Sequence, residues 1–424
     1  MSDSHSRVSR LVGLASLIIA AEAIFALPYH VGRFFRPSLL AVLGLDNTEL
    51  GLLQSAYGVV AMLAYFPGGP LADLFPARKL ITASLLSTAV GGFYFATLPG
   101  FDGLWLLFAF WGLTTILLFW AALIRATREW GDATRQGRAY GLLDAGRGLL
   151  AAVLAAVAVA LFAGFFPADP EAITPQARRE AIQYVILFYT SITFLAALLT
   201  WFFVSEPEVS LQAPARARLD MARLRVVFAM PTVWLQAVIV ICAYVGYRGL
   251  DYYSLFAVDV YGLSEVEGAE ISAGLVWIRP VAALAAGLLG DRIRASRAAA
   301  LGFLLLGSAY LLSAGADYQD PAIWIFLVNA VVCSAAVFGL RGIYFALLQE
   351  GSVPAASTGT AVGIVSVLGY SPDVFFSVLA GWLLDTYPGA EGYRLFCLLM
   401  VGFAALGFAA SVRFSRTTSP SSPT

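Results

Sequence analysis

The sequence predicts an all-α integral membrane protein with twelve transmembrane helices in two pseudo-symmetric six-helix bundles. Of the 424 residues, 60% are hydrophobic and only 12% are charged, whereas a soluble domain has roughly 25% charged residues. Long apolar runs reach the length of roughly 20 residues that crosses a bilayer. Because backbone groups in hydrocarbon must pair internally, only helices and closed barrels span membranes, and continuous apolar runs favour helices over alternating strands.

The apolar runs form two sets of six. The first set covers residues 11–31, 50–70, 80–98, 103–124, 138–165 and 181–204, and the second covers 231–258, 268–289, 298–314, 321–345, 358–382 and 392–412. Between them, Pro207, Pro214 and four arginines interrupt the hydrophobic pattern. We therefore predict an N-terminal bundle at 1–204, a cytoplasmic linker at 205–230 and a C-terminal bundle at 231–424. Glu22 within the first run, and the eleven runs after it, argue against a cleaved signal peptide.

Arginine placement predicts the orientation, because cytoplasmic loops are enriched in Lys and Arg. With both termini assigned to the cytoplasm, seventeen of the 26 Lys and Arg residues fall on that side and five on the other. The remaining four lie inside the spans, at Arg147, Arg248, Arg279 and Arg341. We expect a multi-pass protein of a bacterial inner or plasma membrane.

The two halves repeat each other at equivalent places. After the second and eighth helices, a glycine precedes an aspartate by four residues and basic residues follow. These residues are Gly69, Asp73, Arg78 and Lys79 in the first half, and Gly287, Asp291, Arg292 and Arg297 in the second. A Gly-x-Ala-x-Gly pattern also opens both the fifth helix, at Gly137, and the eleventh, at Gly359. Two such matches indicate a duplicated six-helix unit.

At these motifs the whole chain resembles the major facilitator superfamily. The resemblance implies two bundles that rock about a central site, with the aspartates and basic residues of the motif forming a charge network at a conformational gate on the cytoplasmic side. Gly69 and Gly287 would allow close helix approach there, since glycine lets backbones touch. Arg125 and Arg341, near helix ends, are expected in gate contacts or in ligand binding. The alternative is that these charges only fix topology and cap helices.

A weaker resemblance is to the organophosphate:phosphate antiporters, in which an arginine of the seventh helix binds phosphate. Arg248 matches that position, between Tyr247 and Asp251. The first helix departs from the pattern of that branch, because it carries Glu22 and His30 where a second arginine is expected.

Charged residues inside the membrane are candidates for substrate binding, because each costs about 2.5 to 3.5 kcal/mol to insert. Asp144 and Arg147 share a helix face, as do Arg248 and Asp251, so each pair could simply neutralise itself. Alternatively, Arg147, Arg248 and Arg279 converge on a cavity and hold a carboxylate, phosphate or sulfonate group through guanidinium forks. Asp251 and Tyr247 complete the predicted substrate-binding set.

Proton coupling is predicted first at Glu22, which has no charged partner within a helical turn. Desolvation then favours its protonated form. Asp144, Asp373 and His30 are further candidates.

The sequence thus predicts a secondary transporter of a small organic solute, with an anionic solute favoured, working by alternating access with protons or a counter-substrate. A proton-coupled transporter of a neutral sugar or drug-like efflux substrate is the alternative, and a non-transporting receptor is a remote one. No catalytic constellation or nucleotide loop indicates an enzyme. The cysteines, Cys242, Cys333 and Cys397, lack metal-site spacing, so we expect no metal and no cofactor. The expected partners are the solute, together with protons or a counter-substrate, and the lipid bilayer. We expect no nucleic-acid partner and a monomeric protein.

Overall fold

The computed structural model describes residues 2–131, 136–166, 173–204, 221–316, 322–354 and 358–418. In these ranges every regular element is a helix, and twelve helices are long and apolar enough to cross a membrane. They are α1 (Leu11–Phe34), α2 (Asn47–Leu74), α3 (Ala77–Ala96), α4 (Phe101–Trp130), α5 (Gly141–Ala163), α6 (Pro175–Phe203), α7 (Pro231–Asp259), α8 (Glu265–Ile293), α9 (Ala295–Ala314), α10 (Ile323–Ile343), α11 (Ala361–Thr386) and α12 (Ala390–Thr417). The prediction of a twelve-helix, all-α membrane protein is confirmed.

Shorter helices connect some of the spans. They are Arg36–Leu43, Met221–Phe228 and Leu347–Glu350. Met221–Phe228 lies within the predicted linker at 205–230, of which residues 205–220 fall outside the described ranges.

Local chemistry sets where several helices begin. Asp46 accepts a hydrogen bond from the Glu49 amide while the Glu49 carboxylate accepts one from the Asp46 amide, which forms a capping box at the start of α2. Ser264 and Glu267 form the same box at the start of α8. These caps satisfy amide groups that the first turn of a helix leaves without a partner.

Several spans depart from regular α-helix. α1 contains a π-helical segment at Ala26–His30, and α4 contains one at Thr114–Trp120. α7 passes through a 3-10 turn at Leu250–Tyr252, and α8 is interrupted at Trp277. The interruption of α8 comes just before Pro280, whose ring removes one backbone donor from the helix.

The chain folds as two compact units. Unit 1 comprises Met1–Val209, Asp251–Trp277 and Ser377–Trp382. Within it α3 packs along α6, α2 along α4, and the Glu265–Val276 part of α8 against α5. Two clusters of buried aliphatic and aromatic residues form its core.

Unit 2 comprises Ser210–Leu250, Ile278–Phe376 and Leu383–Thr424. Its most extensive packing joins α9 to α12, where Gly407 lies directly against the Phe303 ring. The Ile278–Ile293 part of α8 packs along α10, and α7 packs against α12.

Candidate functional site

A buried charge cluster in unit 1 joins α1 to α5. The carboxylate of Glu22, on α1, is almost fully buried. Its Oε2 atom lies 3.4 Å from Nε of Arg147, on α5, and its Oε1 atom lies 3.4 Å from Nε2 of His30. The π-helical turn of α1 ends at His30, whose ring also packs edge-on against Tyr189. Glu22 and His30 are thus two titratable groups side by side in a site shielded from solvent.

A second buried charge cluster in unit 2 joins α7 to α11. Nε of Arg248 lies 3.3 Å from Oδ1 of Asp373, and the Arg248 side chain is 1% exposed. The Tyr244 hydroxyl donates to both carboxylate oxygens of Asp373, at 3.1 and 3.0 Å. Asp373 stands in the first turn of the helix Pro372–Thr386, where a negative charge is favoured by the helix dipole.

The two charge clusters lie on corresponding helices of the two halves, but the acid and the arginine have changed places between those helices. α1 and α7 open the two predicted halves, and α5 and α11 are the fifth helices of those halves. In unit 1 the acid lies on α1 and the arginine on α5, whereas in unit 2 the arginine lies on α7 and the acid on α11. Both separations exceed the 2.7 to 2.9 Å of a strong charge-assisted hydrogen bond. Within the described residues, unit 1 and unit 2 thus each contain a loose, largely buried ion pair of this kind.

Partners of these charges come from other helices. The sequence shows no charged partner for Glu22 within a helical turn, and α5 brings Arg147 to it from 125 positions away, which helical spacing along α1 cannot foresee. Asp251, which was expected to share a helix face with Arg248, lies in the 3-10 turn at Leu250–Tyr252 and forms a short ion pair with Arg33.

Two further ion pairs in unit 1 tie segments of α7 and α8 to the first half of the chain. Arg33 and Asp251 pair through a 2.5 Å contact with both side chains almost fully buried. Arg178 binds Glu265 with two nitrogens, at 2.9 and 2.6 Å to the same oxygen, and the Ser38 hydroxyl donates to that carboxylate. Sequence patterns carry no signal for these partners, because they are far apart along the chain.

An arginine and four tyrosines form a cluster in unit 2. The guanidinium carbon of Arg341, on α10, lies 3.7 Å from the centre of the Tyr247 ring and 5.7 Å from that of Tyr244. Tyr370 packs edge-on against Tyr244, and its hydroxyl lies 3.2 Å from that of Tyr344. We refer to Arg341 with Tyr244, Tyr247, Tyr344 and Tyr370 as the tyrosine cluster.

The expectation of close helix approach at Gly69 and Gly287 is wrong. A Cβ atom at either position would meet no described atom within 4 Å, because both glycines lie on helix faces that no described neighbour covers. Another helix comes close instead at Gly68, next to Gly69, and at Gly51, earlier in the same helix. A Cβ on Gly68 would lie 3.3 Å from the Leu117 carbonyl, and one on Gly51 would lie 2.5 Å from that of Ser377.

The remaining predicted gate residues occupy varied places. Arg125 donates to the Ala72 carbonyl at 2.6 Å and pairs with Glu129, so it braces α4 against the end of α2. The guanidinium of Arg78 stacks over the Trp201 ring at 5.1 Å. Exposed positions are held by Asp73, Lys79, Asp291, Arg292 and Arg297. The gate role of these residues stays a prediction.

Two predicted binding or coupling residues are not part of the buried ion pairs described above. Asp144 is exposed on α5, one turn before Arg147. Arg279 is half-buried two residues after the interruption of α8. Because Arg147 belongs to unit 1 while Arg248 and Arg279 belong to unit 2, their convergence on one ligand stays a prediction. Among the described residues, no group of three His, Cys, Asp or Glu side chains could hold a metal ion.

Known proteins with similar sequences include an inner membrane protein and a probable transporter. "Inner membrane protein YqcE" of Escherichia coli is 29% identical over 418 residues, which cover 95% of this chain and 93% of that protein. "Probable nitrate/nitrite transporter NarK2" of Mycobacterium tuberculosis is 26% identical, covering 92% and 94%.

The fold is also found among solved structures. A point mutant of the nucleoside transporter NupG superposes with a TM-score of 0.73 at 13% identity, over 96% of this chain and 99% of that one. At this identity the likeness concerns the fold alone. The family model described as "Major Facilitator Superfamily" matches residues 12–372. Twelve spanning helices, the repeated loop motif and this match together show that the chain is a membrane transporter that belongs to the Major Facilitator Superfamily.

Proposed function

We propose that this protein is a secondary active transporter that couples the movement of a small organic anion to protons across a bacterial inner membrane, with both termini in the cytoplasm. The observation that carries the proposal is the pair of loose buried ion pairs, Arg147 with Glu22 and Arg248 with Asp373.

The chemistry follows from what each ion pair does when its carboxylate takes up a proton. A buried arginine needs a counter-charge, because an uncompensated charge away from water is costly. Protonation of Glu22 or Asp373 removes that counter-charge, and the guanidinium then favours an anionic solute in its place. Loss of the solute restores the ion pair and releases the proton. One proton therefore accompanies one negative charge at each arginine.

His30 gives the unit 1 pair a second proton site. Its Nε2 atom lies 3.4 Å from Glu22, and its Nδ1 atom is buried without a hydrogen-bond partner among the described residues. We propose that His30 receives the proton as it leaves Glu22. In this assignment Glu22, His30 and Asp373 couple protons, and Arg147 and Arg248 bind the solute. Asp251 pairs with Arg33 within unit 1 and does not bind the solute.

The proposal is tested in proteoliposomes that contain the pH-sensitive dye pyranine. Glycerol 3-phosphate, succinate and benzenesulfonate are added outside as membrane-impermeant anions. We expect at least one of them to acidify the interior with wild-type protein and not with Glu22→Gln or Asp373→Asn, while the variants keep anion exchange measured by counterflow. Glu391→Gln, an exposed carboxylate at the start of α12, serves as the matched control and should behave as wild type. Equal acidification by wild type and both variants would contradict the coupling role.

A neutral solute is the second candidate, favoured by the balance of charge in the two pairs. Each pair contributes one positive and one negative side chain, so neither pair carries a net charge when ionised. Uptake of radiolabelled uridine or glucose, with no response to any of the three anions, would favour this alternative.

A further inference from the structure

The tyrosine cluster of unit 2 contains a charge that the ion pairs do not compensate. Arg248 is balanced by Asp373, but the described residues place no carboxylate within ion-pair distance of Arg341. Its contacts are the faces of Tyr247 and Tyr244. Cation–π contacts stabilise a guanidinium by about 0.5 to 2 kcal/mol, which is less than a buried cation loses on leaving water.

The orientation of Arg341 leaves its hydrogen-bonding edge unused. A guanidinium that lies over a ring uses its flat face, while its N–H groups point outward in the plane. The Nη1 atom of Arg341 is buried and has no hydrogen-bond partner among the described residues. A planar, two-oxygen anion such as a carboxylate fits this edge, because it accepts two parallel N–H bonds.

The surroundings of Arg341 favour an aromatic solute. Tyr247, Tyr370 and Arg341 itself are only partly buried, whereas Tyr244 and Tyr344 are almost completely buried. Partly exposed tyrosine rings beside an unused guanidinium edge offer an aromatic surface next to an anion-binding group. The hydroxyls of Tyr344 and Tyr370, 3.2 Å apart, add donors and acceptors at its border. Aromatic pairs gain about 0.5 to 1.5 kcal/mol beyond burial of their area.

We propose that the tyrosine cluster is the binding site for an aromatic carboxylate or sulfonate, with Arg341 holding the anionic group and Tyr247 and Tyr370 contacting the ring. This inference rests on the proposed function, because it names the class of solute that would be transported. Of the two roles that the sequence left open for Arg341, gate contact and ligand binding, it selects ligand binding and adds Arg341 to the proposed solute-binding arginines Arg147 and Arg248.

The test is ligand binding to the purified full-length protein in detergent, measured by thermal stabilisation and isothermal titration calorimetry. Benzoate and phenylacetate are compared with cyclohexanecarboxylate and cyclohexylacetate, which match them in size and charge but lack the aromatic ring. We expect the aromatic acids to bind about 2- to 10-fold more tightly than their saturated counterparts. Benzenesulfonate should bind as well.

Variants assign the effect to the cluster. Arg341→Gln should weaken benzoate binding by roughly 10- to 100-fold, and Arg341→Lys should weaken it less, because it keeps the charge but loses the planar fork. Tyr247→Leu should abolish the preference for benzoate over cyclohexanecarboxylate. Arg394→Gln, an exposed arginine of α12, is the control and should bind as wild type does. Size-exclusion profiles and circular dichroism show whether each variant is folded. If Arg341→Gln is not folded, the binding test uses Arg341→Lys in its place.

Three outcomes would overturn the inference. They are no binding of any aromatic acid by wild-type protein, equal binding by wild type and the Arg341 variants, or equal affinity for the aromatic and saturated acids. The result is separable from the transport test, because binding in detergent needs no proton gradient. Proton-coupled movement of an aliphatic anion, with no aromatic binding, would support the proposed function and refute this site. Arg341-dependent benzoate binding without transport would support this site and refute the proposed function.

Discussion

Arg33 donates from Nε to Oδ1 of Asp251 across 2.5 Å, although 218 positions separate the two residues in the chain. Their side chains are 7% and 3% exposed. The Ser254 hydroxyl donates to the Arg33 carbonyl at 3.0 Å and reinforces the same contact. Because unit 1 contains this segment of α7 together with α1, the ion pair fastens part of the second half of the chain to the first.

Removing both members of this ion pair should destabilise the protein by less than the sum of the two single losses. Arg33→Gln or Asp251→Asn leaves one buried charge uncompensated, at a cost of about 3 to 5 kcal/mol. The double variant leaves none, so we expect its loss to be clearly smaller than the sum of the single losses. Thermal unfolding of the four proteins in one detergent measures the coupling.

The pair formed by Arg178 and Glu265 provides the comparison. Its side chains are 26% and 14% exposed, so solvent screens the charges and the same cycle should give a smaller coupling. Strictly additive losses at Arg33 and Asp251, or a larger coupling at Arg178 and Glu265, would contradict the importance assigned to the buried pair.

Two glycines should not tolerate a methyl group. A Cβ at Gly51 of α2 would lie 2.5 Å from the Ser377 carbonyl, and one at Gly381 of α11 would lie closer still to the carbonyl of Asn47. Backbone atoms cannot swing away as a flexible side chain can. We therefore expect Gly51→Ala and Gly381→Ala each to lower stability by about 1 to 3 kcal/mol.

The control is Gly402→Ala, in the middle of α12, where a Cβ meets nothing within 4 Å. Alanine is the better helix former there by about 1 kcal/mol, so this variant should unfold at the same or a slightly higher temperature. Unfolding midpoints that do not distinguish the three alanine variants would show that α2 and α11 are not packed as described.

Removal of two buried tyrosine hydroxyls, those of Tyr244 and Tyr189, should have different effects on the unfolding temperature. Tyr244→Phe deletes the donor to both Asp373 oxygens, and hydrogen bonds to charged groups contribute about 1.5 to 3 kcal/mol. Tyr189→Phe deletes a buried hydroxyl that has no partner among the described residues. We expect Tyr244→Phe to lower the unfolding temperature and Tyr189→Phe to leave it unchanged or raise it. An equal loss in both would mean that the Tyr244 hydroxyl contributes nothing specific.

Glu350 should hold the segment that precedes α9 in place. Its carboxylate forms an ion pair with Nη2 of Arg294 at 2.8 Å and accepts a hydrogen bond from the Ser296 amide at 2.9 Å. Arg294 adopts a φ of 82°, a left-handed conformation that is costly for a residue with a side chain. Glu350→Gln removes the charge that attracts Arg294, and we expect a loss of about 1 to 2 kcal/mol.

The readout for Glu350→Gln combines thermal unfolding with the rate of tryptic cleavage between residues 292 and 297, which should rise as the segment loosens. Glu270→Gln, an exposed carboxylate on α8, should change neither. Unchanged cleavage in Glu350→Gln would show that the backbone at Arg294 holds its conformation without this contact.

The sequence predicted the spanning helices well because apolar length is a local property. The structure places α7 at Pro231–Asp259, against a predicted run of 231–258. Pro280 lies close to the interruption of α8, as its missing donor suggests. By contrast, neither π-helical turn was predicted. Ala26–His30 contains Pro28, which indicates an irregularity in the helix but not its type, and Thr114–Trp120 contains no proline or glycine.

The partners of the charged residues could not be predicted from the sequence. Helical periodicity tells which side chains share a face, but not which face meets another helix. The pairing of Glu22 with Arg147 was therefore not predicted, since Glu22 has no charged partner within a helical turn. Asp251 was expected to share a helix face with Arg248, and its pairing with Arg33 was not predicted. The close contacts at Gly51 and Gly381 were missed for the same reason, since a glycine marks close approach only when the opposing backbone is known.

The π-helical turn at Ala26–His30 is what brings the two titratable residues of α1 to the same side of the helix. Glu22 and His30 are eight positions apart, which in a regular α-helix would separate them by about 80° around the axis. A π-turn holds one residue more than a regular turn, so the two side chains face as residues seven apart do, within about 20° of each other. The contact between the carboxylate and the imidazole therefore depends on the winding of the backbone between them.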